Sequence, residues 1–228
     1  MPSHAQSAET LERWRKFPAL ERFPPDPERP RAVLTFDDGP DPDGTPAVLD
    51  ALEEVGAKAT FFLVGEQLMR HHAMARDIHE RGHELALHCF EHADPDVWPP
   101  PVARDDVARG LGTFEVVAGK RPRWYRPPYG RFTEPAFKAV QALKLEPVYW
   151  TAWGLDWEPI PGERIADLVV RDLADGAIVL LHDSTRYAPR ESAQPTADAI
   201  GPIAAAAAER GLALVTLGDA AGDVAPNH

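Results

Sequence analysis

Residues 31–56, RAVLTFDDGPDPDGTPAVLDALEEVG, change periodicity once and sharply. Ala32 to Phe36 are apolar and partly β-branched, the pattern of a buried strand. Asp, Gly and Pro then punctuate residues 37–46. Beyond them Val48, Leu49, Leu52 and Val55 share one helical face, with Thr45 as the expected cap, Pro46 in the first turn and Gly56 as the stop. A strand feeding a helix through a short polar loop is one β/α unit.

The same unit recurs outward from there. Strand-like runs lie near 58–64, 84–88, 123–126, 147–152, 177–181 and 213–217. Helical patterns near 66–81, 105–118, 163–174 and 196–210 are followed by Gly82, Gly119, Gly176 and Gly211. Strict alternation implies right-handed crossovers and a parallel sheet. About seven units predict an α/β fold, a distorted and incomplete (β/α) barrel of about seven parallel strands. The run Ala204–Ala208 reads as helix, alanine being the best helix former. A short helix near 8–16 and a proline-rich stretch over 17–31 form a lead-in, so residues 1–30 are set apart from a domain over 31–218 and a tail over 219–228.

The chain has 228 residues, and its 24 Lys+Arg against 36 Asp+Glu give a net charge of −12. That balance repels phosphate backbones and anionic lipid, so no nucleic-acid partner and no membrane insertion are expected. Cys89 is the single cysteine, which excludes a disulfide framework and a thiolate-built zinc site. Charges at Glu9, Glu12, Arg13, Arg15 and Lys16 interrupt any signal-like apolar run, so the chain as written is expected to be cytoplasmic. A secreted chain stripped of its leader would read the same.

The polar residues that stand out fall just after the expected strands, where a (β/α) barrel builds its active site. Asp37 and Asp38 follow the first strand, His88 and His92 the third, Arg126 the fourth, Asp156 the fifth and His182 the sixth. Alone, Asp37-Asp38-Gly39-Pro40 also reads as a turn with a helix cap. The following Asp41-Pro42-Asp43-Gly44 is no calcium loop, because a glycine in sixth place would put Gly39 at position one. His88 and His92, four apart, would share one face of a helical turn, and with Asp38 they make a two-histidine, one-carboxylate set for a divalent ion. His182 reads either as a hydrogen-bonded core residue or as a proton-transfer group, with Asp156 able to orient it. Most of the aromatics from Trp124 to Trp157 are expected in the core, while Trp153 and Trp157 are candidates for a sugar-stacking wall.

In order, Thr35–Pro40, His88–His92, Arg126–Gly130, Leu155–Trp157 and Ile178–Asp183 resemble the five motifs of the NodB-homology polysaccharide deacetylases, the fourth carbohydrate esterase family. The resemblance runs from Arg31 to about Leu217. It implies metal-dependent removal of acetyl groups from N-acetylated sugars, with an acetylated carbohydrate as partner; for the one divalent metal ion, the ligand types point to zinc, and cobalt or manganese would suit the same set. It also implies roles. Asp38, His88 and His92 would hold the metal, Asp37 would be the base, Arg126 its charge partner and His182, held by Asp156, the acid. The backbone N–H of Tyr129 would help to bind the oxyanion, and Trp157 and Leu180 would enclose the acetyl methyl. Cys89, Ala93 and Trp153 depart from the residues usual in those motifs. A same-fold hydrolase of O-acetyl esters, small amides or cyclic imides, and an inactive sugar-binding domain, remain alternatives.

Overall fold

The computed structural model describes residues 15–94 and 98–222. Its strands are β1 (Arg31–Asp37), β2 (Ala59–Val64), β3 (Glu84–Cys89), β4 (Trp124–Tyr125), β5 (Glu146–Pro147), β6 (Ala152–Trp153), β7 (Ile178–His182) and β8 (Ala213–Val215). The helices are α1 (Thr45–Glu54), α2 (Gly65–Arg70), α3 (His72–Glu80), α4 (Pro100–Ala118), α5 (Glu134–Ala142), α6 (Gly162–Asp172), α7 (Gln194–Glu209) and α8 (Leu217–Ala220). All strand pairs are parallel. Every residue of β2, and all but the first of β1, is buried, as expected where helices cover the outer face of a parallel sheet and side chains fill its interior.

The strands follow the path β5-β4-β3-β2-β1-β7-β6, with β8 off it and paired to the first residues of β1. The two ends of that path, β5 and β6, are separated in the chain only by residues 148–151. A flat sheet would place them about 29 Å apart, six spacings of ~4.8 Å, whereas five extended residues reach only ~18 Å. The sheet therefore curls into an incomplete barrel.

The lead-in spans the seam. Leu20 pairs with Val148 in parallel and Arg22 with Ala177 antiparallel. The Leu20 N–H donates to the Pro147 carbonyl (2.9 Å), the Tyr149 N–H to the Leu20 carbonyl (2.8 Å) and the Phe23 N–H to the Gly176 carbonyl (2.8 Å). Gly176, at φ 79°, is a required glycine here, since a Cβ would lie 2.1 Å from the Phe23 carbonyl oxygen. Phe17 stacks on Phe137 at 4.7 Å and meets Phe132 edge-on at 6.1 Å. Phe17→Ala should cost about 2 kcal/mol, less than a fully buried phenylalanine because Phe17 is half-buried. A chemical-denaturation midpoint unmoved by the substitution would show that the strap adds nothing to closure.

Several local expectations change. The run expected as one strand over 147–152 becomes β5 and β6, because its middle crosses the seam. The helix expected over 66–81 breaks at His71 (φ −125°, ψ 40°) into α2 and α3. Thr45 is the first residue of α1 and not its cap; its hydroxyl accepts from the Asp41 N–H (2.8 Å) and donates to Asp183 Oδ2 (2.6 Å). α5 fills the gap between the strands expected near 123–126 and 147–152, and Thr133 caps it by accepting from the Ala136 N–H. The helix expected near 8–16 lies almost wholly outside the described residues. Ala204–Ala208 is helical, with Ala207 fully buried. Among the described residues no helix is long and apolar enough to cross a membrane.

Candidate active site

β1 delivers two carboxylates to the C-terminal mouth of the barrel. Asp37 ends the strand and Asp38 follows it at φ 83°, so the two side chains leave a kinked backbone in different directions. The kink is locked from the far side. A Cβ on Gly39 would stand 2.3 Å from Asp183 Oδ2, so nothing larger than glycine fits between this loop and the end of β7. Burial pushes the Asp183 carboxyl up to about 7. Asp41, also buried, accepts from the Ser184 hydroxyl (2.6 Å) and binds the loop after β7 a second time.

Asp38, His88 and His92 come together. The Asp38 Oδ1 atom lies 3.5 Å from His88 Nε2 and 3.3 Å from His92 Nε2. The three ligand atoms are mutually within 4.8 Å. His88 and His92 do not share a helical turn, as their spacing suggested: His88 is in β3 and His92 in the loop beyond it. The chain bends between them because Asp106 of α4 accepts from the Phe90 N–H (3.1 Å) and the Glu91 N–H (2.8 Å). Cys89 is buried among these groups, and burial raises its thiol pKa, which makes it an inert packing residue.

These residues suit a divalent cation. Asp38 Oδ1 is a buried carboxylate oxygen with no hydrogen-bond donor. Burial opposes its charge, but His92, His88 and His182 outweigh that and hold the carboxyl well below the usual range. Burial also pushes His92 down to about 4, leaving the neutral imidazole that a metal needs at neutral pH. Ligand atoms ~2.0–2.1 Å from a tetrahedral zinc stand ~3.3–3.4 Å apart, close to the separations between Asp38 and the two histidines. His88 Nδ1 lies 2.8 Å from the Arg126 carbonyl, which fixes the tautomer with Nε2 free.

Two ion pairs flank this trio. Arg126, 0 % exposed, donates from Nη1 to Asp37 Oδ1 (2.7 Å) and the Thr35 hydroxyl (2.8 Å), and from Nη2 to the Tyr149 carbonyl (3.0 Å). Its guanidinium sits 4.2 Å over the Phe62 ring. On the other side, His182 Nδ1 is 2.8 Å from Asp156 Oδ1, and the His182 N–H donates to Asp156 Oδ2 (2.8 Å). Burial disfavours the imidazolium, but Asp156, and at longer range Asp38 and Asp37, prevail and raise His182 to about 9. Asp37 and His182 are register partners on adjacent parallel strands, so the two pairs stand side by side.

The support behind Asp156 was not legible beforehand. Arg190 donates from Nη1 to the Asp156 carbonyl (2.6 Å), and from Nη2 to the carbonyls of His182 (2.9 Å) and Ser184 (2.8 Å). The Thr196 hydroxyl donates to Asp156 Oδ2 (2.8 Å). Neither residue lies in a motif, and only the fold brings them to the acid pair. His83 is buried and accepts from the Ala59 N–H (3.3 Å).

Tyr129 occupies a 3-10 turn at φ 56° and is 45 % exposed. Leu180 is buried, and Trp157 meets the His182 ring edge-on at 5.6 Å. Trp153, only 5 % exposed, is packed between Trp150 and Trp157, so it backs Trp157 instead of offering a face to a sugar.

Residues 25–148 match the sequence profile of the polysaccharide deacetylase family. The chain belongs to that family. A peptidoglycan-N-acetylglucosamine deacetylase of Bacillus cereus is 35 % identical over 66 % of this chain and 71 % of its own. A chitooligosaccharide deacetylase of Rhizobium leguminosarum bv. phaseoli is 37 % identical over 75 % of this chain and 74 % of its own. Among solved structures, a family 4 acetyl xylan esterase from Clostridium thermocellum in complex with cobalt superposes with a TM-score of 0.73 at 32 % identity, covering 83 % of this chain and 89 % of that one. The matched stretch contains Asp37, Asp38, His88, His92 and Arg126 and ends before Asp156 and His182.

Proposed function

We propose that this chain is a metal-dependent hydrolase that removes acetyl groups from N-acetylated sugars of the chitooligosaccharide or peptidoglycan type. The observation that carries the reading is the register of β1 against β7, which sets Asp37 with Arg126 beside His182 with Asp156 across the Asp38–His88–His92 trio. A divalent cation held by that trio would acidify water and polarise the acetyl carbonyl. Asp37 has Oδ1 tied to Arg126, which leaves Oδ2 to take a proton from the attacking water. Attack forms the new carbon–oxygen bond, and the oxyanion is met by the Tyr129 N–H as well. Collapse breaks the carbon–nitrogen bond, with the sugar nitrogen taking its proton from His182 Nε2 while Asp156 holds Nδ1. The products are acetate and a free amino sugar.

An acid held by Asp156 at both its ring and its backbone N–H favours amide over ester cleavage. An alkoxide leaves far more readily than an unprotonated amine, so an esterase needs this machinery less. Trp157 and Leu180 supply the apolar wall for the acetyl methyl.

The test is mass spectrometry of N-acetylated chitooligosaccharides incubated with protein stripped of metal and then reloaded with zinc. Loss of acetyl groups, 42 mass units each by the arithmetic of C2H2O, is expected in the reloaded sample only. Zinc bound without any such loss would overturn the substrate and turn attention to acetyl esters. His88→Ala should lower zinc affinity at least ~10–100-fold, with activity falling in parallel. Unchanged zinc stoichiometry in that variant would remove His88 from the ligand set.

A further inference from the structure

We propose that Tyr187 is a positioning residue for the metal site, holding the His92 ring by stacking where a hydrogen bond would ordinarily do so. The inference rests on the reading of Asp38, His88 and His92 as metal ligands, and it adds to that site a residue from outside the family motifs described above.

The two histidines are oriented by different means. His88 has its Nδ1 against the Arg126 carbonyl at 2.8 Å. A ligating histidine usually needs such a partner on its second nitrogen. His92 Nδ1 is buried and has none. The loop is closed around His92 by the Ala93 N–H, which donates to the Glu91 carbonyl (2.9 Å), but that bond holds the backbone and leaves rotation of the imidazole ring to its neighbours.

Aromatic rings take the place of the missing bond. Tyr187 stacks on His92 with centroids 4.2 Å apart and planes 16° from parallel, and Tyr129 meets the same ring edge-on at 4.7 Å and 70°. Both ring nitrogens lie in the imidazole plane, so fixing the plane keeps Nε2 directed toward Asp38 Oδ1, 3.3 Å away. Tyr187 is itself held at both ends. Its hydroxyl accepts from Gln67 Nε2 of α2 (3.1 Å). Its backbone follows Arg186, whose N–H donates to the Ser184 hydroxyl (3.1 Å) and whose Nη2 reaches Asp41 Oδ1 (3.4 Å).

Stacking and coordination should reinforce each other. A ligated imidazole gives up electron density to the cation, and an electron-poor ring is drawn more strongly to the electron-rich face of a phenol. By linkage, whatever coordination adds to the stack the stack adds to coordination.

The full chain, freed of metal, would be titrated with zinc in competition with a chromophoric chelator, and the visible spectrum of the cobalt(II)-loaded protein recorded for each variant. Tyr187→Ala and Tyr187→Leu should each weaken zinc ~10–100-fold and alter the cobalt spectrum. Tyr187→Phe should remain close to the parent in both, since the ring and not the hydroxyl faces His92. Leucine keeps apolar bulk without a flat face, so it separates stacking from packing if the alanine variant fails to fold. Parent-like zinc affinity and cobalt spectra in the leucine variant would overturn the proposal. If His88→Ala loses zinc while the Tyr187 variants do not, the stacking role alone fails. If the parent protein binds no zinc, the metal reading fails and this inference with it.

Discussion

Asp37→Asn should lower kcat by about 10²–10⁴-fold, the usual contribution of a positioned general base, and leave bound metal unchanged. The asparagine keeps the size of the side chain and removes the proton acceptor. It does not touch Asp38, His88 or His92. The same substitution carries a second cost, because Arg126 is wholly buried and Asp37 is its only carboxylate partner within 4.0 Å among the described residues. Breaking one half of a buried ion pair costs about 3–5 kcal/mol, so the denaturation midpoint should fall as well. The two effects can be separated. Replacing both partners with apolar residues, Asp37→Leu with Arg126→Met, removes the stranded charge and should recover much of the stability with none of the activity. An Asp37→Asn enzyme with an unimpaired rate would end the base assignment, and one with parent stability would show that water reaches Arg126.

Asp156→Asn should be nearly as damaging, and its signature is a displaced pH profile. In the native site Asp156, with Asp38 and Asp37 at longer range, outweighs burial and lifts His182 from its ordinary 6.5 to about 9. The folded-state value being the higher one, the stability this pair contributes is fully present below about 6.5 and is lost as pH rises through about 9. Acid catalysis by His182 follows the same imidazolium and should fade on the same alkaline limb. Without the carboxylate the main charge that offsets burial is gone, so the imidazole titrates below about 9 and the alkaline limb moves to lower pH. On that displaced limb the variant holds less of the acid form than the parent, and kcat should fall there by up to about 10²–10⁴-fold. The check is kcat against pH for the parent and variant, each loaded with the same metal. An alkaline limb left in place would assign it to some group other than His182.

The two positions were found by different routes. Asp37 is legible because it sits where an apolar run ends in adjacent carboxylates, a local signal. Asp156 is legible only with His182, since a single aspartate before a tryptophan carries little information by itself. Of the two residues that hold Asp156 in place, Arg190 lies in no pattern and Thr196 opens an expected helix with nothing to mark it as a partner of Asp156. The stretch from Arg186 to Ala193 is an ordinary polar loop in sequence, and the same loop supplies Tyr187. Asp106 is equally silent as one acidic residue among several on α4, until the fold turns it toward the Phe90 and Glu91 amides.

Sequence by itself determined the alternation of strand and helix, the parallel sheet that alternation requires, and the placing of Asp37, Asp38, His88, Arg126 and His182 at strand ends. These follow from periodicity and chain direction, which are local properties. Tertiary structure alone decided how the barrel closes and how the site is held. The 147–152 run has the composition of one strand, but its two ends pair with different neighbours, and that choice depends on the curl of the whole sheet and on the strap from residues 17–23. His88 and His92 converge through a bend held by Asp106, not through helical spacing. Each of these outcomes rests on contacts between residues far apart in the chain, and such contacts leave no period in a sequence.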